Sequence, residues 1–134
     1  MSEIDRDLDE VIKSQIGPLI NRLGLVKAGA GTSGPFSFRD YVSGNLTMRI
    51  LNERGLLGIE VGPTNQQGDF RAVGIFKDAL MPPPSGRWNL SIEQQCEFIE
   101  ANWDWFVEHL RADKASKTIA EVDAKARAVA QRIR

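Results

Sequence analysis

The 134 residues carry a formal net charge of −1, with 42% apolar and 26% charged side chains, one cysteine and one histidine. One cysteine excludes an internal disulfide, and together with one histidine it falls short of a structural zinc set, so an apolar core must supply the stability. The near-zero charge balance argues against nucleic acid as a partner, because phosphate neutralisation demands a dominant basic face.

Charge is unevenly placed: residues 111–134 hold seven Lys/Arg against three Asp/Glu, while residues 1–10 hold five acids. An acidic start is the reverse of an export signal, and no apolar run reaches bilayer length. The expectation is a cytoplasmic protein of one domain over residues 1–134, with neither cofactor nor metal.

From the N-terminus, Ile4, Leu8, Val11, Ile12, Leu19, Ile20 and Leu23 recur at helical spacing and predict a helix over 3–23 that Gly24 ends. Gly17-Pro18 interrupts it, since proline cannot donate to the carbonyl four residues back, so a kink or restart is expected there. Residues 28–35, rich in Ala, Gly, Thr, Ser and Pro, read as a flexible connection. Gly29, Gly31 and Gly34 spell the glycine pattern of dinucleotide sites, but a helix precedes them and a strand follows. That is the reverse of the strand-to-helix order such a site needs.

The middle of the chain reads as antiparallel sheet, with strands over 36–42, 45–52, 56–61 and 70–76. Glu53-Arg54-Gly55 predicts a three-residue hairpin loop closed by a left-handed glycine. The alternation of Leu57, Ile59 and Val61 with Leu56, Gly58 and Glu60 predicts a sheet covered mainly on one face. Glu60 is read as facing solvent or pairing across strands with Arg49. Residues 77–89, with Pro82, Pro83 and Pro84, read as a stiff crossing segment.

Ser91 and Gln94 have the spacing of a capping box and open a helix over 92–110. Its residues divide into three sides: a core stripe of Ile92, Cys96, Ile99, Trp103, Phe106 and Leu110; an acidic arc of Glu93, Glu97, Glu100, Asp104 and Glu108; and Phe98 with Trp105 on neither. No Lys or Arg lies between Glu93 and Glu108. Like charges at such spacing repel, which is met either by solvent or by a basic partner. Cys96 reads as a buried thiol, and His109 as a helix C-terminal residue rather than a catalytic base.

A last helix, over 116–133, aligns Ile119, Val122, Ala126, Val129 and Ile133. Its stripe is expected to cover Phe98 and Trp105, either within the chain or by exchange of residues 113–134 between two copies. The fold class is therefore α+β: an N-terminal helix, an antiparallel sheet of about four strands, and two C-terminal helices.

The order of these elements, with the stretch RGLLGIEV at 54–61 and LSIEQQ at 90–95 opening a Trp-rich acidic helix, resembles small bacterial α+β proteins grouped as uncharacterised or as toxin-immunity proteins. The resemblance spans about residues 45–110. It implies a non-enzymatic protein that covers a basic partner and carries over no individual residue. The candidate contact residues, read from the helix itself, are Glu93, Glu97, Glu100, Asp104, Glu108, Phe98 and Trp105. The alternatives are a homodimeric accessory protein, and a small-molecule binder or enzyme with a pocket near Trp88 where Glu60, Arg49 or Tyr41 would converge.

Overall fold

The computed structural model describes residues 3–82 and 90–132, without the side chains of Ile4 and Arg132. Trp88, Pro83, Pro84 and Ile133 lie outside the described residues.

Leu8, Ile16, Leu19 and Ile20 are buried along one side of an N-terminal rod built from α1 (Glu3–Val11), a π-helical stretch (Ile12–Ile16) and α2 (Gly17–Arg22). The interruption expected at Gly17-Pro18 takes the form of that widened turn. The Gly17 N–H bonds the Ile12 carbonyl, five residues back, so the helix absorbs a proline that cannot donate. Past α2, Gly24 at φ 66° donates to Asn21 O and Leu25 to Ile20 O, a Schellman stop that tucks buried Leu25 towards Ile20.

A five-stranded antiparallel meander follows, in the order β1 (Val26–Ser33), β2 (Phe36–Ser43), β3 (Leu46–Glu53), β4 (Leu56–Pro63) and β5 (Arg71–Ala72). Glu53 pairs with Leu56, so the third hairpin has a two-residue turn instead of the expected three-residue loop. Both Arg54 (φ 55°) and Gly55 (φ 88°) adopt the left-handed conformation that matches the twist of the flanking strands.

Residues 28–35 are not a flexible connection: most of them form β1. Their small, weakly strand-forming side chains are accommodated by pairing along β2, where Phe38 lies so close over Gly31 that a Cβ there would sit 2.5 Å from the ring. The strand expected over 70–76 shrinks to two residues and gives way to α3 (Val73–Leu80). Phe70, Val73, Phe76 and Ala79 are buried three apart, a helical interval, whereas the short apolar run itself suits a buried strand equally well. The helix expected over 92–110 is divided into α4 (Ile92–Ala101) and α5 (Trp103–His109), and the chain ends in α6 (Ala115–Arg132).

Helices cover one sheet face. Leu46, Met48 and Ile50 of β3 and Ile59 and Val61 of β4 meet α1, α3 and α4 in a single core that also takes in Phe106, Leu110, Ile119 and Val122. Buried Arg39 on β2 pins the N-terminal rod to the sheet through Asp5 (3.2 Å) and Asp9 (3.1 Å). Where β5 falls short, Gln95 of α4 takes the place of a strand: its Oε1 accepts from the Ile59 N–H at 3.0 Å and its Nε2 donates to Leu90 O.

Candidate functional site

The acidic arc begins at a helix start written in the sequence. Gln94 N–H donates to Ser91 Oγ at 3.1 Å while Ser91 N–H donates to Gln94 Oε1 at 3.0 Å, the reciprocal box expected of this spacing. Asn102, at φ −116° and ψ 15°, separates α4 from α5. Its side chain donates to the Phe98 carbonyl at 2.9 Å and competes with the regular helical bond. The disruption is local, since Phe106 N–H still reaches Asn102 O across it.

Glu93, Glu97, Glu100, Asp104 and Glu108 are all exposed. Glu100 is paired with Arg22 at the end of α2, and Glu108 with Lys114 at 2.8 Å, which holds the Glu108 carboxyl below its ordinary value. Glu93, Glu97 and Asp104 have no ion-pair partner among the described residues. Lys125 and Arg127 of α6 form no ion pair with the arc among the described residues, so the bases that neutralise part of it come from elsewhere.

Both aromatic residues that the sequence left uncovered pack against α3 and α5. Phe98 is only 5% exposed, edge-on to Phe106 and beneath Lys77. Half-buried Trp105 packs edge-on to Phe76 and Phe106 and stacks on His109 at 4.6 Å. α6 buries Ile119, Val122, Ala126 and Val129 against its own chain, chiefly α3, and is tied to β5 by the bidentate Arg71–Asp123 pair at 3.0 Å.

Cys96 is buried against the core, and burial pushes its thiol up to about 11, so it is a poor nucleophile. His109 Nδ1 lies 2.9 Å from Trp105 O, a contact within its own helix. Among the described residues no group of three His, Cys, Asp or Glu is arranged to hold a metal ion, and no helix is long and apolar enough to cross a membrane.

The sheet face opposite the main core carries a row that sequence reasoning found in part. Asp40, Arg49 and Glu60 stand side by side on β2, β3 and β4. Arg49 bonds Asp40 in bidentate fashion at 2.8 and 3.0 Å, and its guanidinium lies 4.5 Å from the Phe38 ring centre and 5.0 Å from that of Phe70. Tyr41, one residue from Asp40 on an alternating strand, belongs to the opposite face, so it does not converge with Arg49 and Glu60. Asp40 was missed, although the Gly44-Asn45 turn sets the register that puts it opposite Arg49.

No family model, no curated protein and no solved structure matches the chain.

Proposed function

We propose that this chain is a non-enzymatic protein-binding domain that presents the exposed face of α4 and α5 to a basic partner. One observation carries the reading: Glu93, Glu97 and Asp104 stand exposed and unpaired among the described residues, while the aromatic side chains beside them are turned into the core. Unneutralised carboxylates on a rigid helical face steer an oppositely charged surface and fix its register. Phe98 is buried and out of a partner's reach, so the contact is electrostatic at its centre. A basic toxin is a partner of this chemistry, in keeping with the resemblance seen in the sequence.

Affinity capture from the source cell tests it. Wild-type chain is expected to retain a basic protein that the Glu97→Lys/Asp104→Lys variant loses by about tenfold or more, with capture weakening as salt is raised. Glu121→Lys, on the exposed side of α6, keeps the partner. Equal capture by wild type and the double variant goes against the reading, as does a partner whose binding ignores salt.

A further inference from the structure

The cavity beside Glu60 has features that neither the fold nor the acidic helix face requires. About 200 Å³ in volume, it opens where β4 meets the start of α3 and is lined by Leu51, Gly58, Glu60, Ala72, Gly74 and Leu90, with Ile59 and Gln95 behind.

Two of the lining residues are glycines. Gly58 and Gly74 both have ordinary backbone conformations, so no turn demands glycine there. Nor does packing: a Cβ on Gly58 would meet only the Leu51 side chain at 3.9 Å, and a Cβ on Gly74 would meet nothing within 4 Å. By contrast, Gly31 and Gly62 lie under aromatic rings that forbid a side chain. Glycine is a poorer helix former than alanine, so its place in α3 is not explained by helix stability.

Charge supplies the second half of the argument. Of the basic groups near Glu60, Arg49 is bidentate to Asp40 and Arg71 is bidentate to Asp123. Each guanidinium thus has its own carboxylate, and Glu60 is the surplus one. It makes no hydrogen bond or ion pair to any described residue, although it is half-buried. Burial pushes its carboxyl above the ordinary value, against the pull of Arg49 and Arg71 and with a push from Asp40, so its present surroundings do not compensate the charge.

We infer that this cavity is a binding site for a cation on a short alkyl stem, a primary ammonium or a guanidinium, whose head pairs with Glu60 while Leu51, Ala72 and Leu90 line the stem. The inference is independent of the partner face on α4 and α5, which it neither uses nor supports.

The test is an amide-resolved NMR titration of the full chain with n-butylguanidinium and n-butylammonium, with neutral n-butylurea as control. Shifts centred on Gly58, Glu60, Ala72 and Gly74, saturating in the millimolar range for the cations and absent for the urea, are expected. Glu60→Gln, which keeps shape and removes charge, weakens binding by about tenfold or more. Gly74→Leu, which fills the cavity while improving helix propensity, abolishes it in a chain that stays folded. Acetyl-Gly-Arg-Gly-amide identifies the source of the cation. Binding like that of butylguanidinium assigns the site to a partner's side chain, and exclusion of the peptide alone assigns it to a free amine. Equal binding of butylurea, wild-type affinity in either variant, shifts elsewhere on the surface, or no binding of either cation overturns the inference.

Discussion

At the scale of single residues, the sheet row shows how neighbours decide what a charge costs. Arg49 and Asp40 are both largely buried yet compensate one another, and the rings of Phe38 and Phe70 flank the guanidinium. Glu60, the next member, has no such partner among the described residues, and burial raises its carboxyl above the ordinary value. A carboxyl that holds its proton more tightly folded than unfolded favours the fold most when protonated. That contribution is intact below the ordinary glutamate range and disappears as pH climbs through the raised value. Glu60→Gln should therefore raise the urea midpoint at about pH 8, with the gap over wild type shrinking as pH falls towards 5. A gap that stays constant across that range shows that the charge is not what costs stability. The Arg49–Glu60 adjacency was legible from strand alternation. Asp40 was not weighed, because an acid on a strand looks solvent-facing until the two-residue turn at Gly44-Asn45 fixes its register.

At the scale of elements, the sequence was most informative where periodicity and punctuation agreed. Leu8, Ile12, Leu19 and Ile20 with the Gly24 stop, and Ser91 with Gln94, define helix ends that the structure reproduces. It misled where composition opposed tertiary context. The Gly- and Ala-rich β1 is held by pairing and by the Phe38 ring over Gly31, and α3 is short enough that its apolar run reads equally as a buried strand. Gln95 was the least legible element-level residue. In sequence it is a polar helix residue beside the capping box, and only the truncation of β5 gives it the Ile59 N–H to satisfy. Gln95→Ala leaves that buried donor without its acceptor and should cost about 1–3 kcal/mol in urea denaturation, with an unchanged m-value. A loss well below that range would mean that water reaches the strand edge when the side chain is removed.

At the scale of the molecule, the last helix decides whether the chain is a body with an arm or one cooperative unit. Its stripe suggested either cover for Phe98 and Trp105 or exchange between copies. The structure lays it instead on α3, with Ile119 and Val122 in the main core and Val129 also buried. Burial of each such side chain is worth about 1.5–3 kcal/mol, so losing three of them removes an amount comparable with the whole stability of an ordinary domain, about 5–15 kcal/mol. The Arg71–Asp123 pair and the Ser116–Asp69 hydrogen bond at 3.0 Å are lost with them. A chain ending at Arg111 should therefore lose its cooperative thermal transition and show the weak near-ultraviolet signal of an unfixed core, instead of surviving as a folded body without its arm. Adding residues 112–134 as a separate peptide should restore part of the transition in a concentration-dependent way, because docking then becomes an intermolecular step. A truncated chain that melts as sharply as the full one would return α6 to the status of a dispensable arm, and with it the case for exchange between copies.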